Sequence, residues 1–193
     1  MKLLIISFIA FSCLNGFSQE LQPLFNGKDF TNWKEPKNNI WWKVQDGVIH
    51  CQNGPKKKGS NLWTAKKYKD FIVELDFKMG EGNVDSGVFI RNQDQIQIGI
   101  SGSLKRDMTC SPYIPKKGYP KEAQGVKDIL KTKDWNTLKV KAVGSTYTIW
   151  LNGQKVNEYT SQTAIEEGPV GLQLHGNREM QISFRNIKIA ELN

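Results

Sequence analysis

The sequence predicts an all-β domain made of two packed antiparallel sheets. Apolar residues recur at every second position along many short segments, whereas the spacing of an amphipathic helix is almost absent. Turn-forming dipeptides separate neighbouring segments, as they do in β-sandwiches. The 193-residue chain, less a short N-terminal leader, has the length of one such domain.

The segment 71–79 shows the alternation most plainly. Its apolar side chains fall on one face of an extended strand and its charged side chains fall on the other. The same period of two recurs over residues 95–100, 137–143 and 146–151. Each of these segments is therefore predicted to be a strand with one face in the core.

Two tight turns and one bulge are predicted between these strands. Asp46-Gly47 and Asn152-Gly153 are dipeptides that favour the positive φ angles of two-residue hairpins. Near the C-terminus the alternation slips by one position beside Arg185, which indicates a β-bulge.

The N-terminus has the layout of a secretory signal peptide over residues 1–18. A positive charge precedes a short apolar run, and small residues precede the expected cleavage site before Gln19 or Glu20. The apolar run is shorter than the roughly 20 residues of a membrane span, so no transmembrane span is expected. A lipid-anchored Cys13 is the alternative, disfavoured by the residues that precede it. We therefore expect a secreted or periplasmic protein with a single domain over 19–193.

Charge and cysteine content narrow the possible ligands. The formal net charge is +8, but the lysines are scattered, and an exported protein is not expected to bind nucleic acid. Cys51 and Cys110 are an even pair in an oxidising compartment, and whether they form a disulfide stays open. No metal-binding motif is present in the sequence, so neither a metal nor a cofactor is expected.

A long segment, residues 101–133, interrupts the strand pattern. It is rich in proline, glycine and charged residues. Long irregular segments inside a compact domain are uncommon and tend to be functional. This segment is therefore a candidate part of a binding site.

A series of motifs, in order along the chain, resembles a known family. They occupy residues 24–33, 42–49, 85–91, 135–136, 150–153, 168–176 and 184–187. They are spread along the mature chain, and the resemblance extends over nearly all of it. The sequence resembles the 3-keto-disaccharide hydrolase domain family of secreted bacterial carbohydrate-processing proteins.

The resemblance implies a fold, an activity and a partner. The fold would be a concanavalin-A-like jelly-roll sandwich, and the activity would be hydrolysis of glycosides whose sugar carries a ketone at C3. A carbohydrate would be the ligand. Similar sequences often carry Tyr-Glu-Val-Gln-Ile where this chain has residues 94–98, so the neutral Gln95 replaces an acid. Non-catalytic sugar binding therefore stays open as an alternative, as does a purely structural or partner-binding role.

A ketone at C3 suggests an elimination. It acidifies the hydrogen on C2, and the leaving group on C1 is β to the carbonyl. The reaction then needs a base, a group that stabilises the enolate and an acid for the leaving oxygen. An ordinary glycosidase would instead need two opposed carboxyl groups. Glu74 and Asp76 share a strand face but are more simply explained as solvent-facing residues.

Three residues are predicted to be catalytic. His175 lies on the polar face of its segment and could be the base, although a hydrogen-bonded structural histidine fits as well. Arg91 could stabilise the enolate, with Asp85 as its partner, and a buried structural ion pair is the alternative.

Further residues are predicted to contact the sugar. Amide side chains suit sugar hydroxyls, and aromatic rings stack on the apolar faces of sugars. Charged residues of the long segment could add contacts, although solvated loop residues fit as well. The predicted set is Gln95, Gln97, Trp150, Tyr113, Lys105 and Asp107, with Trp63 as a further aromatic platform.

Overall fold

The computed structural model of the chain describes residues 20–192, which are almost entirely β-structure. The first strands are β1 (Gln22–Pro23), β2 (Trp33–Lys34), β3 (Trp42–Gln45), β4 (Val48–Gln52), β5 (Ser60–Thr64), β6 (Phe71–Gly82) and β7 (Asp85–Ile90). The remaining strands are β8 (Asp94–Gly99), β9 (Pro112–Tyr113), β10 (Asn136–Val143), β11 (Thr146–Leu151), β12 (Gln154–Thr160), β13 (Gly171–Leu174) and β14 (Met180–Glu191). A 3-10 turn, Pro55–Lys57, and a one-turn helix, α1 (Val126–Ile129), complete the described elements.

The strands form two antiparallel sheets. The eight-stranded sheet has the order β12-β11-β10-β6-β14-β4-β3, and β1 also pairs with β14. The six-stranded sheet has the order β2-β5-β13-β7-β8-β9. The predicted all-β sandwich of two antiparallel sheets is confirmed.

The core lies between the inner faces of the two sheets. In β6 the alternating side chains of Phe71, Val73, Leu75 and Phe77 are at most 1% exposed. The side chains between them are half-buried on the outer face. Period-two alternation therefore separates core from outer face, as the sequence predicts.

The predicted turns and bulge are all present. Asp46 and Gly47 both have positive φ in the β3–β4 turn, as do Asn152 and Gly153 in the β11–β12 turn. The pairing of β14 with β6 shifts register beside Arg185. These local features follow directly from the residues that the turns require.

The strand β8 departs from simple alternation. Ile96 and Ile98 point into the core, yet Gln95 and Gln97 on the outer face are also almost fully buried, at 3% and 2% exposed. The segment 101–133 begins directly after this strand, at the edge of the outer face. The outer face of the six-stranded sheet is therefore partly enclosed.

Three expectations concern the ends and the thiols. The predicted leader, residues 1–18, lies outside the described residues. None of the helices within residues 20–192 has the length and apolarity needed to cross a bilayer. Cys51 and Cys110 are both buried and both free, so the structure contains no disulfide between them.

Candidate functional site

A cleft of about 370 Å³ lies on the outer face of the six-stranded sheet. Its walls come from four strands of that sheet, β7, β8, β9 and β13, and from the loops that follow β8, β9 and β13. The lining residues are Asp85, Gln95, Gln97, Ser101, Gly102, Ser103, Tyr113, Tyr119, Gln173, His175, Asn177 and Arg178. Most of these side chains are polar.

Strand register brings the polar residues together. Gln173 of β13 is paired with Gly87 of β7, which is paired in turn with Gln97 of β8. Residues paired directly across strands point to the same face of a sheet. The three positions therefore form one cross-strand row on the floor of the cleft.

Three glutamine side chains are joined over this row. Gln95 Nε2 donates hydrogen bonds to Gln173 Oε1 at 2.9 Å and to the Ser86 carbonyl at 3.1 Å, and lies 3.4 Å from Gln97 Oε1. A Cβ atom at position 87 would lie 2.1 Å from Gln95 Nε2, so only glycine fits beneath this amide. Gly87 thus lets the Gln95 side chain cross β7 and reach β13.

Asp85 links the hydrogen-bonded glutamines to the cation Arg178. Its Oδ1 accepts a hydrogen bond from Gln97 Nε2 at 2.8 Å, and its Oδ2 accepts one from the Gly102 amide at 3.0 Å. Arg178 Nη1 lies 3.0 Å from the same Oδ2 in an ion pair whose side chains are 16% and 5% exposed. Asp85 is therefore held as an acceptor, and its partner Arg178 faces the cleft.

Arg178 retains unused donor capacity. Its Nε is buried and finds no acceptor among residues 20–192. A buried donor without a partner costs free energy, so an acceptor supplied by a ligand would be favoured at this position. The guanidinium is also the one cation among the described residues that line the cleft.

His175 has a fixed tautomer. Its Nδ1 lies 2.8 Å from the Gly176 carbonyl oxygen, which can only accept a hydrogen bond. The proton of the neutral ring must therefore be on Nδ1, which leaves Nε2 with a free lone pair. His175 is half-buried and lines the cleft.

Two tyrosines form a further wall. The rings of Tyr113 and Tyr119 are 5.2 Å apart and meet edge to face. Burial raises the pKa of the Tyr119 phenol, and a hydrogen bond with Ser101 partly opposes that shift. Tyr119 is therefore a neutral O–H donor near pH 7.

The structure does not bring Arg91 to the cleft. Its side chain is 1% exposed, and it donates to the backbone carbonyls of Lys69, Gly144 and Ile165 and pairs with Asp70 at 3.2 Å. These contacts tie three loops at one end of the sandwich. Arg91 is thus in a buried ion pair, but its partner is Asp70. Asp85, the partner predicted from the sequence, pairs with Arg178 instead.

Three other predicted contacts also lie outside the cleft lining. Trp150 is on the eight-stranded sheet, where it packs near Lys139. Lys105 and Asp107 are exposed in the loop after β8, and Asp107 accepts a hydrogen bond from the Thr109 amide at 2.7 Å. The cleft does include Ser101, Gly102 and Ser103 of the same loop.

The two predicted carboxylates of β6 also have structural partners. Glu74 lies 3.7 Å from Lys139, and Asp76 pairs with Arg185 at 3.3 Å. Both are on the outer face of the eight-stranded sheet. Within residues 20–192 no group of three His, Cys, Asp or Glu side chains is arranged to hold a metal ion.

Seven of the twelve cleft residues were not predicted individually, among them Gln173, Arg178 and Tyr119. Gln173 shares a strand face with His175 two positions later, so alternation could have identified it. Arg178 and Tyr119 lie in loops, where the sequence gives no such periodic signal. Their positions depend on contacts between distant parts of the chain.

Comparison with known proteins assigns the family. The sequence profile of the 3-keto-alpha-glucoside-1,2-lyase-like domain matches residues 20–190, and the chain belongs to this family. The resemblance drawn from the motifs is thereby confirmed. No curated protein was found to match this chain.

Solved structures share the sandwich. A protein of Parabacteroides distasonis, provisionally named a glycosyl hydrolase, is 26% identical with a TM-score of 0.66, covering 90% of this chain and 100% of its own. A second such protein from the same organism is 24% identical with a TM-score of 0.67, covering 89% and 84%. The carbohydrate-binding module CBM66 of Bacillus subtilis is 16% identical with a TM-score of 0.62, covering 84% and 98%. The chain is thus a carbohydrate-related β-sandwich protein.

Proposed function

We propose that this protein cleaves 3-keto-glycosides by elimination across C1 and C2 of the keto sugar. The observation that carries the proposal is that His175, whose Nδ1 is hydrogen-bonded, and the cation Arg178 line the same polar cleft. The family description, a lyase of 3-keto-α-glucosides, names the same bond positions.

The acid–base groups of the cleft suit elimination better than ordinary glycoside hydrolysis. A glycosidase of the usual kind places two carboxyl groups on either side of the scissile bond. Among the described residues that line this cleft, Asp85 is the one carboxylate, and both of its oxygens are occupied. A 3-keto sugar removes the need for a second carboxylate because its own carbonyl activates the C2 hydrogen.

In the proposed reaction, His175 Nε2 takes the proton from C2, and the C–H electrons form an enolate with negative charge on the C3 oxygen. The enolate then re-forms the ketone while C1 and C2 become doubly bonded and the C1–O bond breaks. The departing oxygen takes a proton, for which the neutral Tyr119 is the proposed donor. Addition of water to the unsaturated sugar would complete a net hydrolysis.

Two roles remain: stabilisation of the enolate, by Arg178, and binding of the sugar hydroxyls, by the glutamine amides. The guanidinium would stabilise the enolate oxygen, because a cation in a partly enclosed cleft is worth more than one in bulk water. Asp85 is the positioning residue that orients Arg178. Gln97, Gln173 and the Gln95 amide would bind the sugar hydroxyls.

Sugar binding without turnover is the second candidate function. Its specific support is Gln95, which stands where similar sequences carry an acid. The cleft floor is made of amides, which are suited to binding hydroxyls in either case. In the proposed reaction His175 is the base, so no acid is needed at position 95.

The test compares methyl 3-keto-α-glucoside with methyl α-glucoside. The proposal expects release of methanol from the keto substrate only, because the ordinary sugar has no acidified C2 hydrogen. Binding of either compound without release would support the second candidate instead. Export through the leader of residues 1–18 is part of the proposal, and N-terminal sequencing of the mature protein should begin at Gln19 or Glu20.

A further inference from the structure

An aromatic pair lies beside the polar cleft on the same sheet face. The ring centroids of Trp63 and Phe89 are 4.9 Å apart, with an angle of 33° between the ring planes. Both side chains are half-buried, so part of each ring reaches the surface. Neither residue has a role in the reaction proposed above.

The pairing register of three strands places Trp63 and Phe89 on either side of a glycine. Gly171 of β13 is paired with Trp63 on one side and with Phe89 on the other. A Cβ atom at position 171 would lie 2.4 Å from the Trp63 ring, so the indole covers the glycine. Two large rings from non-adjacent strands can therefore meet over the strand between them.

The pair is one step along the strands from the cleft floor. Gly171 is two residues from Gln173 on β13, and Phe89 is two residues from Gly87 on β7. Two residues of an extended strand advance about 7 Å, so the aromatic pair is within reach of a sugar ring linked to one that lies over the glutamines. In the same direction, His175 lies at the far end of β13, beyond Gln173.

The surface changes from polar to apolar at this step. The row of Gln173, Gly87 and Gln97 offers amide groups, whereas the next row offers the rings of Trp63 and Phe89. Gln95 is paired with Phe89 in that second row, but its amide reaches back to Gln173. A pyranose has hydroxyls at its edge and C–H groups on its faces, so a ring lying on Trp63 and Phe89 would be held by stacking.

We propose that Trp63 and Phe89 form the subsite for the second sugar ring of a keto-disaccharide, with the keto ring over the glutamines. The reaction itself rests on the proposed function, but the subsite makes a separate claim about binding. It predicts a preference for a disaccharide over a glycoside with a small aglycone.

The experiment uses Trp63→Leu and Phe89→Leu, which keep apolar volume but remove the flat ring. Trp150→Leu, on the opposite sheet, is the matched control. For each protein, kcat/KM is measured with 3-keto-maltose oxidised on its non-reducing ring and with methyl 3-keto-α-glucoside. We expect each of the two test variants to lose about tenfold on the disaccharide through KM, and less than about twofold on the methyl glycoside.

Equal losses on both substrates, or no loss on the disaccharide, would overturn the subsite. If the wild-type protein cleaves neither substrate, the proposed reaction fails, and calorimetric titration with the same two compounds tests the subsite alone. A Trp63→Leu protein that binds the disaccharide about tenfold more weakly and the methyl glycoside unchanged would support it. Unchanged binding of both compounds would contradict it.

Discussion

Arg178 Nη1 lies 3.0 Å from Asp85 Oδ2, and this contact joins the loop before β14 to the first residue of β7. The carboxylate also accepts hydrogen bonds from Gln97 and from the Gly102 amide. The cation is thereby fixed in the cleft that His175 also lines. A Cβ atom at position 102 would lie 2.5 Å from Arg178 Nη2, so the loop backbone also closes against the guanidinium.

Replacing Arg178 separates its two roles. Arg178→Gln should slow cleavage about a hundredfold through loss of the enolate-stabilising charge. It should also lower the free energy of unfolding by about 3 kcal/mol, because Asp85 stays buried without its cation. Adding Asp85→Asn removes that buried charge, so the double variant should regain most of the stability but not the activity. Kinetics and urea unfolding of all three variants measure both effects, and recovery of cleavage in the double variant would assign Arg178 a structural role only.

Replacing Arg91 should lower stability but leave activity nearly unchanged. Arg91→Lys keeps the charge but cannot donate to Lys69, Gly144 and Ile165 at once, so unfolding should become easier by about 3 kcal/mol. Well below the unfolding midpoint, kcat should stay within about twofold of wild type. Denaturant unfolding and steady-state kinetics on the same preparation check this. A large fall in kcat with normal stability would mean that Arg91 takes part in the reaction.

The two arginines also show what the sequence could and could not predict. Alternation and turn dipeptides identify strands and hairpins because those depend on residues close together in the chain. Arg91 follows β7 with a φ of 54°, and its side chain turns to the end of the sandwich, which no pattern indicates. Arg178 meets Asp85 across more than 90 positions of sequence, so only the folded structure reveals the pair.

Trp150 illustrates a second limit. Its alternation with Ile149 and Leu151 correctly places it on an outer face. A period of two does not say which sheet the strand joins, and β11 belongs to the eight-stranded sheet, away from the cleft. Alternation likewise places Gln95 and Gln97 on the face opposite Ile96, and membership of β8 in the six-stranded sheet is what brings them to the cleft.

Gln95→Glu tests whether an acid at this position makes cleavage faster. The amide nitrogen donates to Gln173 and to the Ser86 carbonyl, and a carboxylate would face both acceptors without a proton. We expect stability to fall by about 2 kcal/mol and cleavage to fall with it. Gln154→Glu, on the exposed start of β12, is the control and should change neither. Faster cleavage by Gln95→Glu would show that a carboxylate is the better base and would contradict the role given to His175.

The buried thiols predict a reactivity pattern. Burial raises the pKa of both Cys51 and Cys110, which keeps them as unreactive thiols in the folded protein. At mildly alkaline pH, a thiol reagent should therefore label neither residue until concentrated guanidinium chloride unfolds the chain, and should then label both. Unfolded protein that labels only after reduction would show a disulfide in place of the two free thiols.

Removal of the C2 proton by His175 is the central claim. His175→Gln keeps a polar side chain but has no basic nitrogen, so cleavage of methyl 3-keto-α-glucoside should fall about a hundredfold or more at an unchanged thermal midpoint. His50→Gln, on the eight-stranded sheet, is the matched control and should retain full activity.

The most direct measurement combines a kinetic isotope effect at C2 of methyl 3-keto-α-glucoside with solvent exchange at the same carbon. The isotope effect compares the C2-deuterated substrate with its protium form in ordinary water, and the exchange experiment uses the protium form in deuterated water, each for wild type, His175→Gln and His50→Gln. Removal of the C2 proton by His175 predicts that cleavage by wild type and His50→Gln is several-fold slower with C2 deuterium, and that their hydrated product carries solvent deuterium at C2. It predicts neither signal above background for His175→Gln. Cleavage at the same rate for both isotopes, with the original C2 hydrogen retained in the free 3-keto sugar, would contradict it.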